Sequence, residues 1–268
     1  MTIEFAHPTV DIPRDRWGRP IITPADGGKP IPYTRVSTLA KYLDSKDALM
    51  AWKQRKVAIG LGRRPDLVAR AKVTDPDDKG RWSEIVKGAM DAAESDSAAN
   101  LGTALHAMAE QVDDGAEPES FGADFAADLT AYREAMSGIE VLASERFIVC
   151  DQLQAAGTFD RLLRLADGTV VIGDVKTGQS EPSFPHGVAT QCAIYARGHL
   201  YDHERGRTGH LPELGVSTEV GLLIHMPAGK GACTLYRLNL TKGWALAVVA
   251  VSVKAAFSDK SVIQAYQP

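Results

Sequence analysis

The densest chemistry in this 268-residue chain lies between Gly157 and Gly178. Gly157-Thr158-Phe159-Asp160 runs on through Arg161 to Leu165, then Ala166-Asp167-Gly168, then Thr169-Val170-Val171-Ile172-Gly173-Asp174-Val175-Lys176-Thr177-Gly178. The stretch builds as a β-hairpin. If Ala166-Asp167-Gly168 is a three-residue loop, with Gly168 in the left-handed position closing a G1 bulge, Leu165 pairs with Thr169 and Asp160 falls opposite Asp174. Cross-strand neighbours lie about 4.5 to 5.5 Å apart at Cβ, where like charges repel, so an apolar-flanked pair needs a proton, a cation or a water-filled cleft. Strand side chains alternate with period two, which puts Lys176 on the face of Asp174. A two-residue Asp167-Gly168 turn would instead set Asp160 against Val175 and turn Asp174 to the other face.

Two carboxylates at close range suit a hard divalent cation, Mg2+ or Mn2+, which keeps several waters and accepts phosphate oxygens in its open positions. A lysine beside such a metal can orient or help deprotonate an attacking water and offset charge developing on a phosphate. An isolated D-x-K is more simply an amphipathic hairpin with an exposed salt bridge. The opposing Asp160 and the short glycine-bracketed loop favour the hydrolytic site.

Two helical segments add to this constellation. Leu101-Gly102-Thr103-Ala104-Leu105-His106-Ala107-Met108-Ala109-Glu110 places His106 and Glu110 one turn apart on one face, and Gln191-Cys192-Ala193-Ile194-Tyr195 does the same for Gln191 and Tyr195. With Gly157-Thr158-Phe159-Asp160 and Asp174-Val175-Lys176-Thr177-Gly178, these segments resemble four motifs of the PD-(D/E)XK nuclease superfamily in its RecB-like branch: G-T-x-x-H, G-x-x-D, D-x-K-T-G and Q-x-x-x-Y. They run in that order over about Ala98 to Ala196. The resemblance implies a restriction-endonuclease-like α/β fold, a mixed β-sheet core flanked by helices. It implies His106, Asp160, Asp174 and the Val175 carbonyl as metal ligands, Lys176 as the catalytic lysine, and Gln191 and Tyr195 lining the same cleft. On spacing alone Tyr195 reads equally as core packing, and Glu110 as either a partner orienting His106 or half of a solvated charge pair. Iron–sulfur relatives, the CRISPR-associated exonucleases among them, use four cysteines; this chain has three, so no cluster is expected. Val175 stands where a Walker A sequence needs glycine before its lysine, so no ATP site is expected either.

The surrounding sequence supplies the elements that must hold these residues. Pro8, Pro13, Pro20, Pro24, Pro30 and Pro32 make residues 1–33 an extension or lid, with a short strand or arm at Pro20 to Thr23. Helical spacing covers Val36 to Ile59 as one or two helices, is interrupted by Gly60, Gly62 and Pro65, and resumes from about Lys79 to Val112 and from Gly122 to Met136. Val141 to Cys150, Gln154 to Leu165 and Thr169 to Lys176 read as strands, Pro185 to Leu200 as a helix, Gly215 to Met226 and Ala232 to Leu238 as strands, and Thr241 to Phe257 as a buried helix. The division is a single domain over 34–268: a helical part at 34–138, a catalytic core at about 98–226, and a C-terminal strand and helix at 232–258.

Composition sets outer bounds. With 44% hydrophobic and 24% charged residues the chain is globular, and its longest apolar run, Trp244 to Val251, is far short of the roughly 20 residues that span a bilayer. Met1 to Pro8 lacks the basic lead and apolar core of a secretory signal, and Cys150, Cys192 and Cys233 are spaced as buried reduced thiols. A cytoplasmic protein with no membrane partner, in a bacterial or phage-infected cell, is expected. The net charge of −4 hides an asymmetry: Lys53, Arg55, Lys56, Arg63, Arg64, Arg70 and Lys72 face only Asp66 in their segment, whereas Asp91 to Glu140 is acidic. The basic run, Lys53, Arg55, Lys56, Arg63 and Arg64 above all, is either a solvated helix face or a grip on DNA phosphates. Trp52, Tyr42 and Trp82 read as core or as stacking platforms, and the acidic region as a DNA-excluding wall, a partner surface or, above these, an ordinary solvated helix pair. The expected function is a metal-dependent DNA nuclease acting on single strands or ends, in repair, recombination or phage DNA metabolism, with a helicase or recombination protein as a further partner. A noncatalytic nucleic-acid- or partner-binding module on the same fold is the alternative. A hydrolase of small phosphate esters is the third reading, against which the basic segment weighs.

Overall fold

The computed structural model describes residues 12–43, 47–93, 97–178, 182 and 186–263. Residues 1–11 of the proline-rich segment, and Pro185 at the expected start of a helix, lie outside the described residues. In chain order the elements are β1 (Ile21–Ile22), β2 (Ile31–Pro32), β3 (Thr34–Arg35), α1 (Val36–Ala40), α2 (Asp47–Arg63), α3 (Pro65–Val73), α4 (Lys79–Ala92), α5 (Ser97–Asp113) and α6 (Ala123–Ala135). There follow β4 (Glu140–Cys150), β5 (Ala155–Arg164), β6 (Val170–Lys176), α7 (His186–Tyr195), β7 (His199–Asp202), β8 (Gly206–His210), β9 (Val220–His225), β10 (Thr234–Asn239) and α8 (Leu240–Ser258). They form two compact units, one from the described parts of Met1–Asp44 and Met108–Pro268, the other from those of Ser45–Ala107.

The larger unit is a mixed α/β structure. Its sheet runs β10-β9-β6-β5-β4-β7-β8, with β3 added in parallel to the start of β5. β6 and β9 are parallel, because the chain crosses over between them, and the remaining neighbours are antiparallel. β6, and β4 from Phe147 to Cys150, bury residues of both faces in a continuous run in place of strict alternation, as β5 does from Arg161 to Leu163. Ile148, Phe159, Leu162 and Ile172 pack with α1, α7 and α8 in the main core. Phe147, Val149 and Ala156 pack with Ile12, Ile22 and Tyr33, so from Ile12 onward the proline-rich segment is built into the fold. α7 and α8 cross closely at Gly243, where a Cβ would come within 2.2 Å of the Ala189 carbonyl oxygen.

Strands β4, β5, β6, β9 and β10 and helices α6 and α8 stand where the sequence pattern puts them. The segment up to Leu200 does not: the helix ends at Tyr195, and β7 and β8 form a hairpin at the sheet edge. Gly198 allows this, since a Cβ there would sit 2.2 Å from Ile148 Cγ2, and its absence lets the chain turn in beside β4. Among the described residues α8 is also the one helix long and apolar enough, by length and composition, to cross a membrane. The uninterrupted run Trp244 to Val251 understates it, because Ser252 and Lys254 do not break the helix; Lys254 donates to Thr34 Oγ1 at 2.7 Å.

In the smaller unit the two glycines expected to break the helix do not. α2 runs through Gly60 and Gly62 to Arg63, and Gly60 is where it crosses α4: a Cβ there would lie 1.7 Å from the Ala89 carbonyl oxygen. Pro65 opens α3, a helix the sequence pattern missed, at a first-turn position where no N–H is lost. The helical region from Lys79 onward is two helices, α4 and α5. Leu67, Ile85 and Ala89 form this unit's core, with Val57, Leu61 and Trp82 against it.

Candidate functional site

The hairpin register is the one that joins the two aspartates. Arg161 pairs with Gly173, Leu162 with Ile172, Leu163 with Val171 and Arg164 with Val170. The Leu165 N–H donates to the Thr169 carbonyl at 2.9 Å, and Gly168 takes φ of 85° at the loop's end. One step beyond Arg161 and Gly173, Asp160 stands opposite Asp174. There the ladder changes character: the Val175 N–H donates to Asp160 Oδ2 at 2.8 Å, a carboxylate in place of a backbone carbonyl.

A third carboxylate completes the row. Ser144 pairs with Arg161 and Arg146 with Phe159, so Glu145 is opposite Asp160 on the other side of β5. Glu145 has φ of 50°, a left-handed conformation that a non-glycine residue adopts only where its surroundings hold it. Carboxylate oxygens of Glu145 and Asp160 lie within 4.8 Å of each other. Burial, then the charges of Asp160 and Glu110, push the Glu145 carboxyl up to about 7. Burial also raises Asp160, against the pull of Lys176 and the Val175 N–H. Glu145, Asp160 and Asp174 thus sit side by side on three adjacent strands.

Lys176 projects to the same place. Its ammonium contacts Asp174 Oδ2 and lies 3.5 Å from the Val175 carbonyl. Burial alone would lower its pKa; the charges of Asp174 and Asp160 outweigh that and hold it above the ordinary lysine value. Gln191 Nε2 donates to Asp174 Oδ1 at 3.2 Å from α7. The turn after β6 is tied down as well: His225 Nε2 lies 2.7 Å from the Gly178 carbonyl oxygen, and the Met226 N–H donates to the Lys176 carbonyl.

Tyr195 stays with Gln191: the two side chains are hydrogen-bonded, and burial, then the charges of Asp160 and Asp174, push the tyrosine's pKa up. It is buried in the main core, and a Cβ on Gly157 would lie 3.0 Å from its hydroxyl, so the glycine of the first strand motif leaves the room that the tyrosine of the helix motif fills. Glu110 belongs to the same unit as the carboxylates and acts on both Glu145 and Asp160 through its charge. His106 lies on α5 one turn before Glu110, at the end of the Ser45–Ala107 unit, and is half-buried.

Beneath the carboxylates is a network that the sequence pattern did not reveal. Arg161, fully buried next to Asp160, donates from Nε to Asp113 Oδ2 at 2.5 Å and from Nη1 to the Asp160 carbonyl at 3.0 Å. The Tyr132 hydroxyl donates to the same Asp113 carboxylate at 2.8 Å. Asp128 is equally buried and accepts the N–H groups of Gly229, Lys230 and Gly231 at 2.6, 3.0 and 2.6 Å. These two aspartates are exceptions within the acidic stretch: Asp113 fastens the end of α5 to β5, and Asp128 fastens the β9–β10 loop to α6.

The basic segment also divides. Lys56 donates to the Ala93 carbonyl and Arg63 to the Ala92 carbonyl, each at 2.9 Å, so both cap the C-terminal end of α4. Arg64 is paired through both nitrogens with Asp66. Lys53 and Arg55 are exposed on α2. Trp82 packs on its unit's core with its indole N–H on the Asp75 carbonyl, Trp52 is half-buried beside Lys56, and Tyr42 is exposed. Cys150 and Cys192 are buried thiols and Cys233 is half-buried.

The residues present fit a hard cation. Three carboxylates converge with one ammonium and a carboxamide, Asp174 buried and Glu145 and Asp160 half-buried, so water spreads their charge less than it would at an open surface. The donors are oxygens, the set that Mg2+ and Mn2+ prefer. The chain matches no protein-family model, and no curated protein is significantly similar to it.

Proposed function

We propose that this chain is a metal-dependent DNA nuclease of the RecB-like PD-(D/E)XK type, hydrolysing phosphodiester bonds from ends or in single strands. The observation that carries this reading is the row of Glu145, Asp160 and Asp174 across three adjacent strands, with Lys176 on Asp174. Such a row costs stability in a protein that does not use it, because like charges facing one another on a sheet repel. It is the arrangement needed to hold a divalent ion against a phosphate.

In this reading Asp160 and Asp174 would hold Mg2+ or Mn2+, with the Val175 carbonyl beside them and Glu145 flanking; the resemblance alone adds His106 to the ligands. The ion would supply Lewis acidity at a phosphate oxygen and lower the pKa of water. Lys176 orients the attacking water and stands over the negative charge that grows on the phosphate. Gln191 fixes the rotamer of Asp174 through its 3.2 Å hydrogen bond. Tyr195 acts from the core, by holding β5 at Gly157, and is a positioning residue. Asp160 is held from two sides, by the Val175 N–H on its carboxylate and by Arg161 on its carbonyl. Of the five basic residues in the proposed DNA grip, Lys53 and Arg55 are the ones with side chains presented to solvent and not committed to capping or pairing.

The test is degradation of end-labelled linear single- and double-stranded DNA with Mg2+, Mn2+ or EDTA, beside Lys176→Ala and a closed circular substrate. Cleavage that needs the metal and falls by about 10²- to 10⁴-fold in the variant supports the assignment, that being the usual worth of a positioned proton-transfer group. Sparing of the circle assigns an exonuclease. Equal inertness of both proteins, with salt-dependent DNA binding retained, replaces the enzyme by a noncatalytic binding module.

A further inference from the structure

Helix α8 carries an outward face that no other described element of its own unit covers. Its inner residues Leu240, Gly243, Ala247 and Ala250 are buried. Its outer side reads Lys242, Ala245, Val249, Ser252, Ala256 and, at the cap, Asp259, with gaps of three and four residues in alternation. That is the spacing of a coiled-coil seam, and all six positions are exposed. Between Lys242 and Asp259 the outer face holds no charge; the helix's other lysine, Lys254, is turned to Thr34. A solvated helix ordinarily carries its charged residues on such a face. Val248 and Val249 are 45% and 50% exposed, and Phe257, Val262 and Ile263, within or just after the helix, exceed 80%.

We propose that this face binds a second copy of the chain, helix against helix and antiparallel, about a two-fold axis passing between Ala250 and Val251. The pattern is self-complementary in that one arrangement. Val249 then faces Ser252 of the second copy, Ala245 faces Ala256, and Lys242 faces Asp259, so each end of the seam closes with an ion pair. A parallel pair would set Lys242 on Lys242 and Asp259 on Asp259, which like charge disfavours. An isologous contact of this kind is what a two-fold dimer requires. Alanine, serine and valine let the two axes approach closely, and the flanking Leu246, Val248 and Val253 add apolar area along an α8 about 28 Å long. A membrane surface fits less well, because helices that lie on lipid carry several lysines or arginines beside bulky apolar residues.

One helix pair with its flanks is smaller than the standard interface of about 800 Å² per partner, so the dimer dissociates within the working range of sedimentation. Sedimentation equilibrium of the full chain from about 1 to 100 μM is expected to show the mass rising from 28.8 kDa towards twice that value. Val249→Glu brings two carboxylates to the seam centre and is expected to weaken the dimer by at least about tenfold, with the melting curve of the dilute monomer unchanged. Lys242→Asp and Asp259→Lys are each expected to weaken it, and the double swap to restore it. The proposal is overturned by a chain that stays monomeric at every concentration, by a dimer indifferent to Val249→Glu, or by a double swap no better than either single change. A monomer that instead floats with phosphatidylcholine–phosphatidylglycerol vesicles, and loses that on Val249→Glu, also overturns it and makes the face a lipid contact.

Discussion

Glu145→Gln is expected to stabilise the metal-free protein, and by an amount that depends on pH. In the fold the Glu145 carboxyl is pushed up from the ordinary 4.5 to about 7, first by burial and then by Asp160 and Glu110. Between these two values the folded state holds a proton that the unfolded chain has released, so stability falls as pH rises from about 4.5 to about 7. An interval of about 2.5 pH units is worth about 3 kcal/mol, fully lost above pH 7. Glutamine has the same shape and no charge to lose. Urea unfolding of both proteins in EDTA at pH 5 and pH 8 measures the difference directly: the two should be close at pH 5, and the variant more stable by about 3 kcal/mol at pH 8. Saturating Mg2+ or Mn2+ at pH 8 should stabilise the wild type and close the gap, because a cation that binds only the folded protein adds its binding free energy to folding. A stability difference that is the same at both pH values in EDTA would refute the reasoning, since it would mean that Glu145 is not held next to Asp160.

Asp113→Asn leaves the buried Arg161 guanidinium without its counter-charge and should cost about 3–5 kcal/mol, a fall of roughly 10 °C or more in Tm; Asp113→Asn with Arg161→Met should recover most of it in the same melt. Gly157→Ala sets a methyl 3.0 Å from the Tyr195 hydroxyl and should destabilise by about 1–3 kcal/mol, with Tyr195→Phe relieving part of the loss. Lys53→Ala with Arg55→Ala should reduce DNA affinity and flatten its salt dependence by about one to two phosphate contacts without moving Tm, whereas Lys56→Ala with Arg63→Ala, which uncaps α4, should lower Tm.

What could be read from the sequence was what local geometry fixes. Ala166-Asp167-Gly168 admits a loop with one left-handed position, and Gly168 supplies it, so the pairing of β5 with β6 and the meeting of Asp160 with Asp174 follow within twenty residues. Glu145 could not be reached that way. It looks like any acid in a strand until β4 is registered against β5, a pairing set by the whole sheet, and its positive φ has no sequence signal in a non-glycine residue. Arg161 and Asp113 are 48 residues apart, and nothing local marks them as partners. The basic segment shows the same limit. Charge counted along a helix does not say which lysines reach back to cap a neighbour, and Lys56 and Arg63 do so because Gly60 brings α2 onto the end of α4.

The residues that carry the resemblance therefore divide by physical task. Asp160, Asp174 and Lys176 carry charge to one point, where identity matters because a carboxylate and an ammonium have no substitute. Gly157 and Tyr195 carry none; they are a matched pair of space and filler that sets how near α7 can come to β5, and with it whether Gln191 reaches Asp174. A binding module that had lost catalysis would still need Gly157 and Tyr195 for its fold, but would gain stability by discarding the clustered acids. This chain carries both, with Glu145 in the cluster at a cost its raised pKa makes measurable, and on that the proposed function rests.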